Sequence, residues 1–140
     1  MVTGPVPRVT DFEDTDDPFF LDPHCQHPDP LMDDQALFFD SPEGTVIVLG
    51  CAHAGVINTL QYVRQLTGNR PVHALIGGMH LLRASKERLS RTIEELRVCD
   101  VRVIAPAHCT GIPATVELWN AFPGRCVPCR VGDRFEFDLR

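Results

Sequence analysis

Three histidines recur among small residues at matching points of the chain: His53 in CAHAG, His80 in GGMHL and His108 in AHCTG. Each follows a short aliphatic run by a few positions. Imidazole is the commonest metal ligand, and its neutral nitrogen lone pair suits zinc, iron or manganese. Three such ligands with one coordination position left open make a hydrolytic site, because the metal lowers the pKa of bound water to roughly 7. A lone histidine past a strand is more often a hydrogen-bonded loop residue. Three at the same topological position point instead to one shared site. Cys51 and Cys109 flank two of them and read as ligands or as thiols supporting the ligands. Gly77, Gly78 and Thr110 fall in the loops that face substrate, where glycine lets backbone approach a metal or substrate closely.

The elements that must carry these residues follow from hydrophobic periodicity. Val46-Ile47-Val48-Leu49 stops at Gly50 and reads as a buried strand. Val56, Ile57, Leu60, Val63 and Leu66 then mark one face of a helix. Gln35 to Asp40 reads as a strand, joined to the next by the turn Ser41-Pro42-Glu43-Gly44. Further strands are expected at Val72 to Ile76 and Val101 to Ala105, with helices from Lys86 to about Cys99, N-capped by Ser85, and from about Pro113 to Phe122. Arg134 to Leu139, alternating Phe135 and Phe137, reads as a closing strand. The order β-β-α-β-α-β-α-β is an α/β (α+β) pattern, a sheet covered by helices on at least one face. Strand ends that open into helices put their loops on the carboxyl edge of the sheet, where α/β folds bind ligands.

The bulk composition sets limits. The chain has 140 residues, 44% of them hydrophobic, enough for one soluble domain with a real core. Its net charge of −6 argues against nucleic acid or an anionic membrane as a partner. No apolar run nears the roughly 20 residues of a membrane helix, and Met1 to Asp17 lacks the pattern of a signal peptide. A cytoplasmic location is expected, with the six cysteines as free thiols. Residues 1–34, rich in Pro and Asp, read as an irregular segment pinned by Phe19, Phe20 and Leu21, and residues 35–140 as the folded domain. Cys126-Val-Pro-Cys129 is a lone C-x-x-C without a second pair, and His24-Cys25-Gln26-His27 lies in the irregular segment. Asp33 and Asp34 read as a solvated turn whose carboxylates could reach a site.

The stretches VIVLGCAHAGVINTLQYV, LIGGMHLLRAS and APAHCTG, with VTGPVPRVTDFED and DDQALFF, resemble a family of metallo-β-lactamase-fold metallohydrolases. Its members are the dihydropterin-ribofuranosylaminobenzene-phosphate synthase (methanopterin synthase)-like proteins, and the resemblance runs over nearly the whole chain. It implies an αββα sandwich with one or two divalent metal ions, zinc or else iron or manganese, along one edge. It also implies a small-molecule substrate, a phosphate ester or a pterin-like compound. His53, His80 and His108 fall on that edge. The family's His-x-His-x-Asp-His run is absent from this sequence. The expectation is therefore the C-terminal β-α-β half of the sandwich, truncated or split, completed by a homodimer or a separate N-terminal half. Such a half would leave an apolar sheet face bare. Two other readings stay open. One is a non-catalytic remnant or subunit needing a partner chain. The other is a small structural zinc protein built on Cys126, Cys129 and the His24–His27 cluster.

Overall fold

The computed structural model describes residues 1–13 and 19–139; the Asp-rich run at 14–18 lies outside the described residues. Four strands form one sheet in the order β1-β2-β3-β4: β1 Ala36–Ser41, β2 Gly44–Leu49, β3 Val72–Gly78 and β4 Val103–Ala107. β1 and β2 make the expected antiparallel hairpin, while β2, β3 and β4 run parallel. The crossovers are α1 Val56–Leu66 and α2 Lys86–Val98; α3 Ile112–Ala121 follows β4.

Side chains alternate across the sheet, and both faces are buried, which explains why β2 reads as a continuous apolar run. Ile47, Leu49, Leu75 and Ile104 face the main core, where Val56, Ile57, Leu60 and Val63 of α1, Leu96 of α2 and Leu118 of α3 pack on them. Val46, Ala74, Ile76 and Ala105 point the other way. Local chemistry sets the ends. Ser85 Oγ accepts the Arg88 N–H at 3.0 Å and caps α2. Gly68 and Asn69, both at positive φ, close α1 with N–H bonds back to Gln65 and Arg64.

Four expectations are corrected. Arg134 to Leu139 forms no strand. Both sheet edges are taken: Val2 bridges to Leu37 on β1, and Ile104 of β4 exchanges backbone bonds with Arg125 and Val127, each 2.9 Å long. With no ladder to join, the tail lies across the second face. Phe135 and Phe137 pack there with Val127 and Cys129, and the Phe137 ring meets Phe39 at 6.0 Å and His73 at 5.7 Å. That face is accordingly covered, not bare. Finally, Phe19, Phe20 and Leu21 do not pin the leading segment; all three are substantially exposed. It is held by buried Val6 and Glu13, and by Phe12 under the Arg91 guanidinium at 4.3 Å. β4 also starts two residues later than expected, after buried Val101.

Candidate metal centre

Because β2, β3 and β4 are parallel neighbours, their carboxyl ends emerge side by side. The loop after β2 carries Cys51 and His53, the one after β3 carries His80, and β4 runs into a 3-10 turn, His108–Thr110. The backbone there is unusual. Ala52, His80 and His108 sit at φ of 54°, 51° and 48°. Left-handed non-glycine residues cost on the order of 1 kcal/mol each and cluster where chemistry demands a particular aim of the side chain.

Two glycines let the strand ends close up. A Cβ on Gly77, at φ 125°, would run into the Leu49 carbonyl. A Cβ on Gly78 would lie 2.5 Å from the Gly50 oxygen and 2.8 Å from Cys109 Sγ. The Gly78 N–H instead donates to the Gly50 carbonyl at 3.1 Å. Thr110 is fully buried and stitches the loops: its hydroxyl donates to the Ala107 carbonyl at 2.7 Å and accepts the Met79 N–H at 3.1 Å.

The side chains divide into two adjoining groups. The His53 and His80 rings lie 4.4 Å apart between centroids, and Phe19 meets His53 edge-on at 5.7 Å. Beside them, Cys51 Sγ is 2.9 Å from His108 Nε2, and Cys109 Sγ contacts the Cys51 carbonyl at 3.2 Å. The ligand atoms of Cys51, His108 and Cys109 all lie within 4.8 Å of one another. Two thiols and one imidazole at that separation match the donor set of a soft or borderline divalent ion. His53 and His80 line a cavity of about 350 Å³ with Phe19, Leu82, Arg83 and the two cysteines. Its wall is mostly apolar, and Arg83 is the cation at its rim.

The three histidines thus reach one edge, but His108 turns toward the cysteines while His53 and His80 pair. Cys51 and Cys109, which sequence reasoning ranked behind the histidines, occupy the centre of the donor cluster. Their positions directly before and after strand-end histidine motifs were the available signal. The Asp34 carboxylate meets loop backbone beside His53: its Oδ2 accepts the Ala54 N–H at 2.7 Å. Cys126 and Cys129 part company, one against the main core and the other on the opposite face. Burial pushes the Cys126 thiol up to about 11, which suppresses the thiolate a metal would need. His24 and His27 lie in an exposed turn organised by the Asp22 carboxylate.

This architecture is that of part of a metallo-β-lactamase-like domain. It superimposes on the crystal structure of Tm1679, a metal-dependent hydrolase of the β-lactamase superfamily, with a TM-score of 0.74 and 30% sequence identity, over 80% of this chain and 43% of that one. In sequence the chain is similar to the 7,8-dihydropterin-6-methyl-4-(β-D-ribofuranosyl)-aminobenzene-5′-phosphate synthase of Methanocaldococcus jannaschii. Identity is 36% over 86 residues, covering 61% of this chain and 29% of the relative. An uncharacterized protein of the same organism, MJ0448, is 32% identical over 73 residues, 52% of this chain and 27% of its own length. The matches therefore span under half the length of these relatives. No family model matches the chain. No helix among the described residues is long and apolar enough to cross a membrane.

Proposed function

We propose that the chain works in metal-dependent hydrolysis, with Cys51, His108 and Cys109 holding a divalent ion, zinc by the softness of its donors. The observation that carries this reading is the convergence of those three ligand atoms within 4.8 Å at the carboxyl edge of the sheet. A bound metal supplies Lewis-acid polarisation of a substrate oxygen. The chain's own residues do the rest. His53 and His80, lining the adjoining cavity, bind substrate or complete the ligand set from that side. Phe19 and Leu82 offer apolar walls against which a flat ring can stack, and Arg83 is placed to meet an anionic group such as a phosphate. A phosphate-bearing, ring-containing small molecule fits this cavity, in keeping with the product named for the curated relative. Matching 43% of the solved hydrolase, the chain contributes one part of such a site. The remainder comes from further residues of the protein, from a second copy or from a separate chain.

Cobalt substitution tests the metal assignment. Cobalt bound by cysteine gives intense near-ultraviolet thiolate charge-transfer bands, which Cys51→Ser and Cys109→Ser should each weaken and the double substitution abolish. Cobalt bound without those bands, or bands untouched by both substitutions, overturns the assignment.

A further inference from the structure

α1 begins without a cap of its own. Its N-cap is Gly55, which has no side chain to offer, and no acidic residue lies in the first turn. The first N–H groups of a helix have no intrahelical partner and must find one elsewhere. Here the partner comes from over forty residues away. Glu13 Oε1 accepts the Ile57 N–H at 2.8 Å and Oε2 accepts the Asn58 N–H at 2.7 Å; Thr10 Oγ1 adds a bond of 3.2 Å to Oε2. Glu13 is only 5% exposed.

The contact is reciprocal. Asn58 Oδ1 accepts the N–H groups of Val9 and Thr10 at 2.8 and 2.9 Å, and its Nδ2 donates to the Ala54 carbonyl at 2.8 Å. Arg8 Nη1 donates to the His53 carbonyl at 2.7 Å. With Asp34 on the Ala54 N–H, the backbone at His53 and Ala54 is held at three successive polar atoms. Gly55 makes room for this. A Cβ there would overlap the Glu13 side chain, including its Cβ at 2.8 Å.

We infer that Glu13 is a positioning residue for the candidate site: by capping α1 from the leading segment, with Arg8 and Asn58, it fixes the loop that aims His53 at His80 and the cavity. This rests on reading that edge as the reactive one, yet its test needs no metal and no substrate. In metal-free protein, Glu13→Gln places an amide N–H₂ against a backbone donor, so one bond is lost without loss of volume. Charge-assisted bonds of this kind are worth roughly 1.5–3 kcal/mol. Amide exchange at Ile57 and Asn58 should therefore accelerate about ten- to hundredfold. The His53 imidazole NMR signals should shift or broaden while those of His108, on a separate loop, stay put. Arg8→Met, which removes the bond to the His53 carbonyl together with a 3.0 Å bond from Nη2 to the exposed Pro30 carbonyl, should move the same His53 signals and decides the matter if Glu13→Gln does not fold. A double-mutant cycle adds an independent readout, because Gly55→Ala should cost less in a Glu13→Ala background than in the wild type. Unchanged His53 signals, or His53 and His108 perturbed alike, would overturn the proposal. Failure to bind cobalt with these signals behaving as expected would sink only the metal assignment.

Discussion

Gly78 is the residue where fold and site press on each other hardest, and Gly78→Ala isolates that pressure. Its φ lies outside the left-handed region, so alanine meets no backbone penalty there. The whole cost is steric. The added methyl would sit 2.5 Å from the Gly50 carbonyl oxygen, 2.8 Å from Cys109 Sγ and 3.2 Å from His108 Cδ2. An oxygen and a sulfur at those separations are well inside the usual contact limit of about 3.5 Å. The Gly50 carbonyl is backbone, tied to the Gly78 N–H at 3.1 Å, and cannot swing away without breaking that bond. Overpacking of this kind costs about 1–3 kcal/mol, a sizeable part of the 5–15 kcal/mol that typically holds a domain together. Two of the displaced atoms belong to proposed metal ligands, the Cys109 sulfur itself and a ring carbon of His108, so cobalt affinity should fall along with stability. Gly50→Ala serves as the control: a Cβ there has nothing within 4 Å, and the change should stay within about 0.5 kcal/mol. Urea unfolding of both variants, with the cobalt–thiolate band titrated in each, makes the comparison. Equal stability of the two variants and equal cobalt affinity would refute the steric reasoning.

Other perturbations test other parts of the structure. Leu60→Ala, at a position with no exposure between α1 and the sheet, should cost 2–5 kcal/mol in urea unfolding; a loss below 1 kcal/mol would mean that the core is not packed as described. Ser85→Ala removes the side-chain N-cap of α2 and should cost about 0.5–2 kcal/mol, most of it recovered by Ser85→Asp. Burial raises the Glu13 carboxyl above its ordinary 4.5, outweighing the opposing N–H bonds from Ile57 and Asn58 and the charge of Arg88. The folded protein then holds that proton more tightly than the unfolded chain. The contribution is present in full below 4.5 and is lost as pH rises through the folded value. Glu13→Gln should flatten that part of the stability–pH curve, and parallel curves for the two proteins would contradict it. With Cys126 pushed up to about 11, only about one thiol in a thousand is ionised at pH 8, so alkylation there should lag far behind that of exposed Cys25. Mass spectrometry showing equal rates would count against the burial described.

Periodicity and turn chemistry made most of the fold legible. The apolar face from Val56 to Leu66 spans α1 from its first residue to its last, and α2 starts directly after its Ser85 cap. The parallel order of β2, β3 and β4 followed from the intervening helices. The closing strand failed for a reason that alternation cannot carry. Phe135 and Phe137 do share a face, but strand formation needs an unoccupied edge, and Val2 and Arg125–Val127 had taken both. Edge occupancy is a tertiary fact.

The site was legible in its location and less so in its aim. Three strand-end histidines foretold the edge on which they lie, because parallel strands bring their carboxyl ends together whatever the side chains do. Which donors face each other is decided one step later, by the loop backbone. Left-handed φ at Ala52, His80 and His108 turns His53 and His80 into one cavity and swings His108 onto Cys51. Those dihedrals are held by contacts distant in sequence. Glu13 and Arg8 act on the loop after β2, and Thr110 binds the loop after β3 to the turn after β4. A leading segment rich in proline and aspartate reads as slack when taken alone. Its buried Glu13, placed against a glycine at a helix start with no cap of its own, makes it instead part of the scaffold that aims the site.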